Sequence, residues 1–156
     1  MKKKVLFVCI HNSARSQMAE ELLKKYGGDL FEAQSAGFEP GVLNPFAIEV
    51  LKEEGIDISD KSTNSLFEFF KQGKKYNYAI TVCDEGNAQK CPIFPGLSHR
   101  IHWSFEDPND FSGSYEEKLN KTRDVKEKIK KEVLKLIELE KNNQIEDNFP
   151  NNWKIY

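Results

Sequence analysis

The chain has 156 residues, of which 38% are hydrophobic and 31% charged, and its formal net charge at neutral pH is -2. That length supports one domain with a real core and is too short for two of ordinary size. The near-cancelling charge leaves no footprint for nucleic acid or an anionic membrane, and no apolar run approaches the length needed to span a bilayer.

The first element is the run Val5-Leu6-Phe7-Val8-Cys9, a series of β-formers that ends on a cysteine. The apolar stretch behind Lys2-Lys3-Lys4 breaks off too early to serve as an export signal, so a cytoplasmic location is expected. An odd count of three cysteines in such a setting points to reactive thiols rather than a disulfide framework.

Five loop residues, Ile10, His11, Asn12, Ser13 and Ala14, lead to Arg15 and Ser16, which open an amphipathic run at helical spacing through Met18, Ala19, Leu22, Leu23 and Tyr26. Strand, loop and helix in that order make an anion seat, because the first helical turn leaves N–H groups without partners at the positive end of the peptide dipoles. The loop N–H groups can form a nest around a tetrahedral oxyanion, with the planar fork of Arg15 closing the ring. Cys9 then sits beneath the anion, where the same field is expected to lower its pKa, and Ser16 can hydrogen-bond its sulfur.

Gly27-Gly28 ends this helix, Phe31 to Ser35 reads as a second strand, and a βαβ pattern is under way. Asn44-Pro45 supplies an N-cap and a first-turn proline for a helix that Gly55 stops. Leu66, Phe67, Phe69 and Phe70 suggest a short helical segment whose aromatics pack into the core. Tyr76 to Cys83 is a further strand, and parallel strands carry their C-terminal ends on one rim, which brings Cys9 and Cys83 to the same edge. A polar, mobile segment around Gly86 and Cys91 is expected next, then a short strand from His99 to Trp103 and a loop containing Asp107-Pro108. A long amphipathic helix from Glu116 exposes its lysines and glutamates, and the tail 141–156 is rich in asparagine, with Phe149, Trp153 and Tyr156 able to dock on the body of residues 1–140.

The sequence Cys9-Ile-His-Asn-Ser-Ala-Arg15-Ser16, between a first strand and a first helix, resembles the low-molecular-weight protein tyrosine phosphatase superfamily, which also contains arsenate reductases that draw electrons from thioredoxin. The resemblance implies an α/β fold, a single-domain three-layer sandwich with a central, mostly parallel four-stranded sheet flanked by helices. It further implies Cys9 as nucleophile, Asp107 as general acid, and Asn12 and Ser35 as residues bracing the loop.

Val82-Cys83-Asp and Lys90-Cys91-Pro92 resemble the reductase branch, in which two further thiols complete a relay that reduces arsenate to arsenite. Phosphate and sulfate would then mimic the substrate, and thioredoxin would be the reductant, with glutaredoxin as the second choice. A monomer without cofactor or metal is expected, since the spacing of Cys83, Cys91, His99 and His102 does not match the close ligand pairs of structural zinc sites. Two other readings stay open: a tyrosine phosphatase, weakened by Asn109 and Asp110 where an aromatic partner for the substrate would stand, and an oxyanion-binding thiol redox sensor that does not turn over.

Overall fold

In a computed structural model, which describes residues 1–83, 99–144, 149–150 and 152–155, strand β1 (Lys3–Cys9) runs through the middle of the sheet. It pairs in parallel with β2 (Phe31–Gly37) on one side and β3 (Tyr78–Thr81) on the other. Strand β4 (His99–His102) adds to β3, also in parallel, so the four expected strands form one sheet. The tail contributes more than a docked aromatic: β5 (Lys154–Ile155) pairs antiparallel with β4 and gives the order β2-β1-β3-β4-β5.

A central parallel strand is covered on both faces, which is why β1 reads as an unbroken apolar run rather than an alternation. Val5, Phe7 and Cys9 face the larger core, shared with helices α1 (Arg15–Gly27), α2 (Pro45–Glu53) and α4 (Tyr115–Lys141). Leu6 and Val8 face the other side, under Leu66 and Phe69 of helix α3 (Leu66–Lys71) and beside Tyr76. The result is three layers, helices on both faces of a sheet.

The caps follow the sequence. Asn44 Oδ1 accepts from the N–H groups of Phe46 (2.8 Å) and Ala47 (3.1 Å), and Pro45 takes the first position of α2. Ser65 and Ser114 cap α3 and α4 in the same way. Helix α1 differs: Ala14 stands at its N-cap and no side-chain hydrogen bond caps it.

Two expectations are corrected. The aromatics of α3 do not all pack: Leu66 and Phe69 are buried, but Phe67 and Phe70 are 55% and 53% exposed. Residues three apart share a helix face, so in a six-residue helix the 66/69 pair takes the sheet and the 67/70 pair is turned away. Strand β3 is also shorter than its run of β-formers, because Asn77 pairs with Lys4 partly through its side chain (Oδ1 to N, 2.8 Å) and Tyr76 turns to donate to Gln34 on β2.

The tail is anchored by Trp153, which is buried against Trp103 with ring centroids 5.1 Å apart and donates its indole N–H to Glu132 on α4. Among the described residues no helix is long and apolar enough to cross a membrane.

Candidate active site

The C-terminal end of β1 delivers Cys9, whose sulfur is buried and lies 2.8 Å from Ser16 Oγ while accepting the Asn12 N–H at 3.0 Å. Between Cys9 and α1 every loop carbonyl is engaged away from the sulfur. Ile10 O accepts from Glu39 N (2.9 Å), His11 O from Gly41 N (3.0 Å), Ser13 O from Asn44 N (2.9 Å) and Ala14 O from Met18 N (2.9 Å). Asn12 O accepts from Gln17 Nε2 at 3.1 Å. A loop with its acceptors satisfied from outside can hold its donors turned inward, the geometry of an anion nest.

Asn12 is the keystone of this loop. It adopts a left-handed conformation, φ 55°, which asparagine tolerates better than most residues. Its Nδ2 donates to Ser16 Oγ (2.8 Å) and Ser35 Oγ (2.9 Å), and its Oδ1 accepts from Asn64 N (2.8 Å) and Gln17 Nε2 (3.0 Å). Both donors and both acceptor positions of the carboxamide are thus used. Asn12 and Ser35 thus bond each other directly, and Gln17 and Asn64 complete the set of partners around the carboxamide.

The donor directions diverge from Asn12, one arm running through Ser16 to the sulfur and the other through Ser35 to Glu20. Ser35 Oγ donates to Glu20 Oε1 at 2.6 Å, so its lone pair is available to Asn12 Nδ2. Asn12 in turn donates to Ser16 Oγ, which leaves the Ser16 hydroxyl proton to point at Cys9. Burial alone would raise the pKa of Glu20, but Lys61 (2.7 Å), with Lys24 and Ser35, holds it below the ordinary carboxylate value. A charged carboxylate therefore anchors the far end of this chain of hydrogen bonds.

For Cys9 itself the expected depression is reversed. Burial pushes the thiol above its ordinary range, and the Ser16 hydroxyl, the Arg15 charge and the Asn12 N–H only partly offset it, while Cys83 adds to the rise. The sequence exposes the groups that favour the thiolate; the depth at which the strand end is buried emerges only from the fold.

Arg15, 4% exposed, reaches from the first turn of α1 to the late loop. Its Nη1 donates to Phe105 O (3.0 Å) and its Nη2 pairs with Asp107 Oδ2 (3.2 Å). Asp107 caps a short 3-10 turn, Pro108–Asp110, by accepting from Asn109 N at 3.0 Å. The loop is tied a second time through Asn109, which donates to Ser13 Oγ (2.7 Å) and accepts from Asn44 Nδ2 (2.6 Å). A cleft of about 470 Å³ opens beside it, lined by Glu106, Asp107, Asp110, Phe111 and Lys121. A cleft of about 490 Å³ at the other end of the strands, among Lys2, Lys4, Lys74 and Lys75, is lined by none of the expected site residues.

Cys83 is buried at the same edge as Cys9: Val8 pairs with Thr81, and Val82 N donates to Val8 O at 2.9 Å. Cys91 and the segment around Gly86 lie outside the described residues. His11 is on the outer side of the loop, its Nδ1 3.0 Å from Glu39 O, and His102 is buried between Thr81 and Ser104.

A cysteine under an outwardly braced loop, with an arginine at the helix start that also holds an Asp-Pro turn, defines an α/β protein built to seat an oxyanion on a thiol. The family model for low molecular weight phosphotyrosine protein phosphatase matches residues 4–146, and the chain belongs to that family. It is 40% identical over 132 residues to the arsenate reductase of Halalkalibacterium halodurans, covering 85% of this chain and 93% of that one. Among solved structures, an arsenate reductase in the phosphate binding state superposes with a TM-score of 0.72 at 33% identity, over 88% of this chain and 98% of that one. The thioredoxin-dependent arsenate reductase of Corynebacterium glutamicum gives 0.65 at 29% identity, over 92% and 63%.

Proposed function

We propose that this chain is an arsenate reductase that uses Cys9, Cys83 and Cys91 in turn and is regenerated by thioredoxin. Arsenate seats in the loop 10–16, and the thiolate form of Cys9, its proton lost to solvent beforehand, attacks arsenic. Asp107 protonates the departing oxygen, which leaves as water, while Arg15 and the loop N–H groups meet the charge that builds on the remaining oxygens. This gives a Cys9 thioester of arsenic. Cys83 thiolate then attacks the Cys9 sulfur, the S–As bond breaks with its electron pair going to arsenic, and arsenite departs from a Cys9–Cys83 disulfide.

Cys91 thiolate next attacks the Cys83 sulfur and releases Cys9, so the disulfide left on the chain is Cys83–Cys91. A thioredoxin dithiol reduces it and restores the resting thiols.

The observation that carries this reading is a second buried thiol, Cys83, at the sheet edge where Cys9 ends. A phosphatase needs the nucleophile, the arginine and the acid, and has no use for Cys83. The names of the similar proteins favour the same branch.

The test is arsenate-dependent NADPH consumption with thioredoxin and thioredoxin reductase. Wild type turns over repeatedly, and Cys9→Ser, Cys83→Ser and Cys91→Ser each lose multiple turnover, whereas hydrolysis of an aryl phosphate is lost only with Cys9→Ser. Full turnover by both Cys83→Ser and Cys91→Ser would refute the relay.

A further inference from the structure

The turn that carries Asp107 touches the oxyanion loop through more than Arg15. Asn109, two residues on, spans the gap with its carboxamide: Nδ2 donates to the buried Ser13 Oγ at 2.7 Å, and Oδ1 accepts from the buried Asn44 Nδ2 at 2.6 Å. Both partners belong to the loop's support, since Asn44 N also binds Ser13 O at 2.9 Å and Asn44 Oδ1 caps α2. On its other side Asn109 N binds Asp107 Oδ1 at 3.0 Å. Asn109 thereby joins Arg15 in setting the distance between the acid and the anion loop.

We propose that Asn109 is a specificity-determining positioning residue, a clamp through Ser13 and Asn44 that favours a bare tetrahedral oxyanion over an organic ester. The inference rests on the reading of Cys9 as nucleophile and Asp107 as acid. An acid that protonates the leaving oxygen must stand on the leaving-group side of the anion. When that group departs as water it needs no room. An aryl leaving group has to pass beside Asp107, where the Asn109 carboxamide crosses between the loops and offers polar atoms in place of an aromatic face. The same crossing keeps Ser13 and its neighbours in register for a small anion.

Three variants separate tethering from bulk. Asn109→Ala removes both, Asn109→Leu keeps comparable bulk without the hydrogen bonds, and Ser13→Ala removes one partner. Binding of inorganic phosphate, followed by calorimetry, is read beside kcat and KM for arsenate and for p-nitrophenyl phosphate. For Asn109→Ala, which deletes both carboxamide hydrogen bonds, the phosphate Kd and the arsenate KM rise roughly fivefold. Its kcat/KM for p-nitrophenyl phosphate falls by less, so the ratio of aryl-ester to arsenate activity rises. Asn109→Leu loses phosphate affinity similarly without gaining on the aryl ester, and Ser13→Ala in the Asn109→Ala background adds less than it costs alone.

An unchanged phosphate Kd in Asn109→Ala, or an equal fall on both substrates, would overturn the clamp. Failure of the wild type to reduce arsenate would instead overturn the reductase reading. The phosphate arm needs no turnover and still decides the role of Asn109.

Discussion

Cys9 is held between burial, which favours the thiol, and three neighbours that favour the thiolate. The thiolate is the nucleophile, so the reactive fraction grows as pH rises toward a midpoint above the ordinary cysteine value of about 8.5. Ultraviolet titration of the wild type against Cys9→Ser should show that midpoint, and Ser16→Ala, which deletes the hydroxyl donor 2.8 Å away, should move it further up. A midpoint below the ordinary value would mean that Arg15 and the loop donors outweigh burial. At this scale the sequence discloses Cys9, Arg15, Ser16 and the loop between them, because they lie within eight residues and their chemistry is local. Asn64, Glu20, Lys61 and the bridging role of Asn109 are invisible there. Asn64 and Asn109 meet the loop only after the chain has crossed the sheet, as the 96-residue separation of Asn109 and Ser13 illustrates, and Glu20 and Lys61 join it through Ser35 and Gln17.

Elements were legible wherever a cap and a periodic apolar face coincided, as in α2, with Asn44 and Pro45 at its start, and α4, with its long buried stripe. They were less legible where a short segment has only one face to give, as α3 does. The junction of β2 with the oxyanion loop supplies a test of packing between elements. A Cβ on Gly37 would lie 2.6 Å from Ile10 O and 2.8 Å from Asn12 N, both backbone atoms that brace the loop. Gly37→Ala should cost about 1–3 kcal/mol in urea unfolding and reduce activity further still, because relief of the clash moves the nest. Gly73→Ala is the control. Its φ of 70° carries strain but nothing lies within 4 Å, so it should cost about 1 kcal/mol and leave activity intact. Equal activity in the two variants would show that the loop does not depend on the close approach at Gly37.

Across the molecule, the helical layer is joined by Glu54 just past the end of α2. Its carboxylate accepts from Tyr26 of α1 (2.7 Å) and pairs with Lys126 (3.1 Å) and Lys130 (3.2 Å) of α4. The Tyr26 hydrogen bond, with the two lysines, overcomes partial burial and holds its pKa down to about 2. A carboxylate depressed on folding stabilises the native state above its unfolded pKa of about 4.3, and that stabilisation drains away as pH falls toward 2. Glu54→Gln should therefore lower stability at neutral pH by on the order of 1–2 kcal/mol, and flatten the decline of stability with acid between those limits. An unchanged acid profile would remove Glu54 from that account. The overall layering was readable in the order of strands and helices, whereas the return of the tail to β4 was not, since a two-residue strand leaves no periodicity. That return also decides what a spectroscopist sees. The chain has two tryptophans, Trp103 beside β4 and Trp153 in the tail, with ring centroids 5.1 Å apart and planes tilted by 50°. Indole emission is therefore a gauge of one corner: it registers whether the tail is seated, and a change at the oxyanion loop reaches it through Phe105, whose carbonyl Arg15 holds, or through Phe7 of β1, 5.8 Å from Trp103.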